Sequence, residues 1–317
     1  MSNSPAIQLD GIAKSYGTVR AVRNLSLTVP AGAVYGFLGP NGSGKTTSIR
    51  MMVNILVPDG GTVRIQGQPV GPHTKDLIGY LPEERGLYAK MKVRELIEFF
   101  AELKKVPPAV AKPRVMQWLE RVELGAWADK KVNELSKGMQ QKIQFVVAVI
   151  ADPPILILDE FSSGLDPINA NLLKDVLLEL RAQGKTILFS THRMEEAERL
   201  CDHVCLIDHG QKVLDGRLDA IRSAAGKSTI RVDYRGDAAL LRRAPGVSQV
   251  DDYGNYAELR LGPEAQNAAG ATAILRALAP QLDITRFELL EPTLNQIFLD
   301  TVGAAQASKA AATPAGV

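Results

Sequence analysis

Apolar residues in the first part of the chain come in short, β-branched runs: "AIQLDGI", "LSLTVP", "AVYGFLG" and, at 62–67, "TVRIQG". Runs of that length and composition predict strands. Past residue 93 the period lengthens. "VRELIEFFAELKK", and then "KPRVMQWLERVEL" after the break "VPPAV", repeat apolar positions at helical spacing. Another helix opens at Ser136, where Met139, Ile143, Val146, Val147 and Ile150 fall on one side. "ILILDE", "TILFSTH" and "HVCLIDHG" then alternate with helical stretches such as "NANLLKDVLLELRAQG". Continuously apolar strands that alternate with helices predict a mostly parallel sheet buried on both faces. The block at about 93–150 interrupts that alternation and reads as a helical subdomain.

Around residue 216 the character changes. "STIRVDY", "DAALLRRA", "VSQVDDY", "YAELRLG", "NAAGATAILRALA" and "LDITRFELL" read as strand, helix, strand, strand, helix, strand. That order predicts a ferredoxin-like unit. A last helix is expected in "TLNQIFLDTVG", and the small, polar end "AAQASKAAATPAGV" is expected to be disordered. The expected organisation is thus a first domain at 5–220, a small α+β domain at 227–302 and a tail at 303–317.

Composition adds exclusions. The 317 residues carry a net charge of +2, which gives no basic field of the kind nucleic acid attracts. No apolar run reaches the roughly 18 residues of a membrane span, and the start "MSNSPAIQLDG" lacks the apolar core of a signal peptide. A cytoplasmic protein is expected, serving a membrane only through a partner. Cys201 and Cys205, near His203 and His209, fit no zinc spacing, so two thiols packed at a helix-to-strand junction are expected.

The strongest chemistry lies in "GPNGSGKTT", residues 39–47, between the strand "AVYGFL" and the helical "KTTSIRMMV". This is the phosphate-binding pattern G-x-x-x-x-G-K-[ST] in its strand–loop–helix setting. Gly39, Gly42 and Gly44, with Pro40, Asn41 and Ser43 between them, let successive N–H groups wrap an anion. Lys45 reaches the β- and γ-phosphates, Thr46 offers a hydroxyl to Mg²⁺, and Thr47 lies at the helix start where an α-phosphate would sit. "ILILDE" ends in two acids: Asp159 is placed to hold Mg²⁺ and Glu160 to act on an attacking water. His192 ends the strand "TILFSTH", on the side where doubly wound sheets bind ligands, and is expected to contact phosphate.

The helix at Ser136 poses a problem. Its first turn, "LSKGM", has a good N-cap serine but no capping box, a lysine at the positive end of the dipole, and Gly138, which costs about 1 kcal/mol relative to alanine. An anion bound at the helix start would explain all three.

These motifs, in this order, resemble the ATP-binding subunit of an ABC transporter over roughly residues 5–220. "LSKGM" is similar to the family signature LSGGQ, with Lys137 for the second glycine and Met139 for the glutamine. "SGLD" at 163–166 is similar to the loop that crosses between subunits, His192 to the switch histidine, and Tyr16 in "KSYG" to the aromatic that stacks on adenine. The fold implied is α/β: a P-loop NTPase ABC cassette with a mostly parallel core sheet, an antiparallel β part and a helical subdomain, followed by the ferredoxin-like domain. The resemblance also implies that the signature helix caps the γ-phosphate held by a second cassette, through Ser136 and Gly138. Lys137 would tolerate or aid that charge, and Asp166 would link the two sites.

The family usually has a glutamine after a "GYLP"-like strand; here "IGYLPEERGLY" places Glu83 there, with Arg85 nearby. A carboxylate binds Mg²⁺ more strongly but repels a γ-phosphate, so Glu83 is expected to sense Mg-ATP and couple it to a membrane partner. The implied activity is ATP hydrolysis by two cassettes, identical or different, that drive a separate transmembrane permease from the inner face of the cell membrane. "PEERGLY" and the C-terminal appendage resemble a bacterial subgroup of sodium-extruding or multidrug exporter ATPases, which leans the reading to export. A soluble ABC ATPase acting on ribosomes or DNA is the competing class; it would usually show two cassettes in one chain or a long coiled-coil insertion, and neither occurs here. For the C-terminal unit, dimer contact or structural bulk is favoured over a small-ligand sensor.

Overall fold

A computed structural model describes residues 4–84, 86–226 and 229–301. Arg85 and the expected tail at 303–317 lie outside the described residues. The contacts divide the chain into two compact units between Gly216 and Arg217.

The first unit holds two sheets. β1 (Ile7–Tyr16), β2 (Val19–Val29), β4 (Gly60–Ile65) and β5 (Gln68–Pro69) form one, in the order β2-β1-β4-β5 and antiparallel throughout. The other has the order β10-β9-β3-β8-β7-β6, built from β3 (Val34–Leu38), β6 (Ile78–Leu81), β7 (Ile155–Asp159), β8 (Thr186–Thr191), β9 (His203–Asp208) and β10 (Gln211–Arg217). Its central pairs are parallel. In β7 every residue is buried, and alternate side chains serve different cores. Leu156 and Leu158 face a cluster with the helices, while Ile155 and Ile157 face a cluster with the antiparallel sheet and α1 (Lys45–Met52). A strand with two apolar faces reads as an unbroken hydrophobic run, which is why the sequence shows it so clearly.

The first hairpin runs further than its apolar runs predict. β1 continues to Tyr16 and β2 begins at Val19, through "AKSYGTVRAVRN". Its outer end is mostly exposed, so burial leaves no hydrophobic signal there.

The helical block consists of α2 (Val93–Leu103), α3 (Pro108–Arg121) and α4 (Lys137–Val149). α5 (Pro167–Ala182) and α6 (Met194–Leu200) flank β8 in sequence. α4 presses on β6 at Gly79, where an added Cβ would stand 2.1 Å from the Ala148 carbonyl oxygen. Gly79→Ala is therefore expected to destabilise the first unit by about 2 kcal/mol, because backbone cannot yield as a side-chain tip can. Chemical denaturation followed by tryptophan fluorescence checks this, since Trp118 and Trp127 pack on that core.

The second unit begins with α7 (Leu218–Ala225). β11 (Thr229–Arg235), α8 (Ala239–Arg242), β12 (Val247–Asp252), β13 (Tyr256–Leu261), α9 (Ala268–Leu278) and β14 (Asp283–Leu290) follow. The sheet order is β12-β13-β11-β14, all antiparallel, which is the ferredoxin-like arrangement. α8 is a single turn, because Pro245 follows it closely and cannot continue a helix. Residues 294–301 are helical, at the expected last helix.

Candidate functional site

The phosphate loop joins β3 to α1. Gly44 precedes the helix with φ +103°, and a Cβ there would stand 2.4 Å from the Ala21 carbonyl, so only glycine fits. No side chain caps α1, which leaves the N–H groups of its first turn free for an anion. A cavity of about 320 Å³ opens over them, lined by Ala21, Asn41, Gly42, Gly44, Lys45, Thr46, Thr47, Glu83 and Glu160.

Lys45 is 6% exposed, and its Nζ donates to the carbonyls of Gly39 (2.7 Å) and Pro40 (3.1 Å). Burial lowers its pKa, while Glu160, Asp159 and Glu83 pull the other way. The Ser43 hydroxyl is buried in the same loop without a hydrogen-bond partner among the described residues.

Two strand tips supply the facing groups. Asp159, fully buried at the end of β7, accepts from the Ser190 hydroxyl through Oδ1, while Oδ2 has no hydrogen-bond partner among the described residues. Burial pushes its carboxyl up, against the pull of the Ser190 and Thr46 hydroxyls. Glu160 follows in the left-handed region at φ +52°. A non-glycine residue held there costs of order 1 kcal/mol. Its backbone N–H donates to Ser190 Oγ at 3.1 Å, and its Oε1 lies 3.0 Å from His192 Nδ1. Glu83 reaches the cavity from the loop after β6, accepting from Thr46 Oγ1 at 3.3 Å. Its side chain is exposed to solvent while lining the cavity edge.

The residues fit a magnesium ion. Asp159 Oδ2 is an orphaned buried oxygen beside a hydroxyl, and carboxylates crowd one ammonium in a cavity shaped for an anion. Mg²⁺ is commonly held by one or two carboxylates together with substrate phosphates. Among the described residues no cluster of three or more His, Cys, Asp or Glu is arranged to hold a metal unaided.

Tyr16 does not line the cavity. It stands 50% exposed at the hairpin end, on the strand pair whose Ala21 forms the cavity wall. Ser136, Gly138 and Asp166 form a separate group. Ser136 Oγ accepts from Met139 N–H at 3.3 Å. A Cβ on Gly138 would meet Leu165 Cδ2 at 3.5 Å and the Gly164 carbonyl at 3.6 Å, which is ordinary contact. Nothing among the described residues therefore requires glycine at 138. Asp166 caps α5, accepting from the N–H groups of Ile168 and Asn169 at 3.0 Å, and the Asn169 N–H above all holds its carboxyl below the usual range.

Sequence reasoning did not assign Ser190, which orients both Asp159 and the Glu160 backbone. It also missed three buried polar residues of α4. Gln141 donates to the Phe161 carbonyl, Lys142 to Asn169 Oδ1, and Gln144 to the loop around Glu83. Gln141 and Gln144 lie on the side opposite the apolar stripe, so the helical period gave no signal of their burial; α4 is buried nearly all round. Of the thiols, Cys205 is buried and Cys201 half-buried, and burial first of all pushes both upward.

The fold and the phosphate cavity define a P-loop nucleotide-binding ATPase. A family model described as "ABC transporter" matches residues 22–163, and one described as "ATP-binding protein DrrA1-3-like, C-terminal domain" matches 216–302. The "Uncharacterized ABC transporter ATP-binding protein YhaQ" of Bacillus subtilis (strain 168) is 41% identical over 94% of this chain and 99% of its own. The "Nod factor export ATP-binding protein I" of Burkholderia orbicola (strain AU 1054) is 40% identical over 76% of this chain and 80% of its own. Among solved structures, one titled "Structure of ATP binding subunit of ABC transporter" superposes with a TM-score of 0.65 at 29% identity, covering 69% of this chain and 93% of that one. The chain belongs to the ABC transporter ATP-binding proteins: it is the ATPase subunit of a transporter, with a DrrA-like C-terminal domain. No helix of the described residues is long and apolar enough to cross a membrane.

Proposed function

We propose that two cassettes, this chain and a second copy or a related one, close head to tail on two molecules of Mg-ATP and so drive a separate permease, in the direction of export, from the inner face of the membrane. One observation carries the reading. Glu160 is 8% exposed, held in a strained backbone conformation, placed against His192 and aimed into the phosphate-loop cavity. A carboxylate so placed serves as general base on a water attacking the γ-phosphate, and His192 orients it. Lys45 exchanges the carbonyls of Gly39 and Pro40 for the phosphates and stabilises charge on the transferring group. Thr46, Asp159 and Glu83 would hold Mg²⁺, which supplies positive charge to the phosphate oxygens. Tyr16, exposed at the hairpin end, offers a face for adenine.

The second cassette accounts for α4. Ser136 and the glycine at 138 offer free N–H groups and close approach to an anion that the chain itself does not bring there. Asp166 fixes the adjoining loop by capping α5. Export follows the names of relatives such as the Nod factor export protein. An aromatic cluster on α2 and the loop before it, with Tyr88 exposed and Phe99 and Phe100 partly buried, supports contact with a membrane partner. Tyr88, 53% exposed, lies 5.7 Å from Phe99 and 6.2 Å from Phe100 between ring centres. No nucleic-acid partner is proposed, since the net charge is +2.

The test is co-purification with detergent-solubilised membrane proteins, with ribosome and DNA pull-down as the counterpart. Capture by ribosomes or DNA alone refutes the transport reading. A second prediction concerns Glu83. Glu83→Gln removes a charge from the metal edge and is expected to raise the Mg²⁺ concentration for half-maximal ATP turnover about fivefold, with kcat changed less. Titrating Mg²⁺ at saturating ATP checks this, and an unchanged midpoint removes Glu83 from the site.

A further inference from the structure

We infer that Gln144 is a positioning residue for Glu83, so that α4 binds the loop at the metal edge of its own site to the same rigid helix whose start faces the second cassette. The inference rests on the reading of Glu83 as a Mg²⁺ ligand.

Gln144 is 3% exposed. Its Nε2 donates to the carbonyls of Pro82 (2.9 Å) and Glu84 (3.2 Å), the residues on either side of Glu83. One amide group thus brackets the backbone from which the Glu83 carboxylate reaches Thr46. The orientation of that amide is forced, because flipping it would aim an oxygen at two carbonyls. The orientation leaves Oε1 buried without a partner among the described residues. A packing role alone would favour an apolar side chain there, which strands no acceptor. The two donated bonds, to the carbonyls on either side of Glu83, are what an apolar residue of the same size could not supply.

A second feature makes the tie stiff. Gly79 brings the β6 backbone against the Ala148 carbonyl one turn further along α4. The helix is therefore fixed both to the strand that leads into the Glu83 loop and to the loop itself. From Ser136 to Gln144 is about 12 Å along the axis, with α4 unbroken between them. A displacement of the helix start when the second cassette closes is carried directly to Glu83.

The experiment uses the full chain and four proteins: wild type, Gln144→Met, Glu83→Ala and the double variant. Met keeps the volume of Gln144 and removes both donated bonds. Gln144→Met is expected to lower kcat about tenfold and to raise the Mg²⁺ midpoint, with the KM for ATP changed less than about twofold. In the Glu83→Ala background the same substitution is expected to change kcat less than about twofold, because the group it positions is gone. Equal losses of kcat in both backgrounds would mark a structural role and overturn the inference. So would wild-type Mg²⁺ dependence in Gln144→Met, or full turnover in Glu83→Ala. Gln144→Glu, equal in shape and unable to donate when ionised, is the second variant. If neither yields folded protein, the amide serves folding and the inference is again overturned. Full turnover in Glu160→Gln would refute the base assignment instead, and it leaves the Gln144 and Glu83 comparison intact.

Discussion

Glu160→Gln is expected to lower ATP turnover by about a thousandfold while leaving ATP binding in place. The substitution keeps the size of a side chain that is 8% exposed. It adds no backbone strain, because glutamine at φ +52° is no worse placed than glutamate. The amide oxygen still accepts from His192 Nδ1, now 3.0 Å from Oε1. What disappears is a negative charge able to take a proton from water. Phosphate release measures the loss, and equilibrium binding of ATP measures what remains. Light scattering is expected to show an ATP-bound dimer that persists, since closure no longer ends in hydrolysis. Unchanged turnover would strip Glu160 of the base role.

Gly138→Asp is expected to cut turnover about a hundredfold, while the fold is as stable as wild type or slightly more so. The two effects have opposite signs for separate reasons. Within the chain, a Cβ at 138 makes ordinary contact with Leu165 and Gly164, and the helix gains by losing a glycine. A carboxylate in the first turn also suits the positive end of the helix dipole, which has no acidic residue in α4. Toward a second cassette the same carboxylate repels a γ-phosphate and blocks its approach to the N–H groups. Thermal denaturation reads the first effect and steady-state hydrolysis the second. Full turnover with Asp at 138 would mean that no phosphate meets the start of α4.

The parts of the site that could be read from the sequence share one property: each is a local backbone device. The 39–47 loop needs glycines, a lysine and a threonine at fixed offsets because a few consecutive N–H groups must surround one anion. The acids of "ILILDE" are legible because a two-faced buried strand must end where polar groups begin. Ser136 is legible as a cap because capping is settled within three residues, and its hydroxyl does accept from Met139. The outer end of the first hairpin was not legible, since its exposed residues carry no hydrophobic alternation. The shortness of α8 was underestimated from "DAALLRRA", although Pro245 stood next to it.

By itself the sequence determined the phosphate cradle, the strands that carry it, the Ser136 cap and the strand–helix order of the second unit's sheet, but not β10, α6 or α7. All of these depend on the identity of residues a few positions apart. Only the tertiary structure decided that Glu83 lies within reach of Thr46, that Ser190 holds Asp159 and Glu160 together, and that Gln144 grips the Glu83 loop. Those contacts join residues 30 to 62 positions apart. They follow from which strands lie side by side and which helix packs over them, and no local periodicity encodes a partner at that distance.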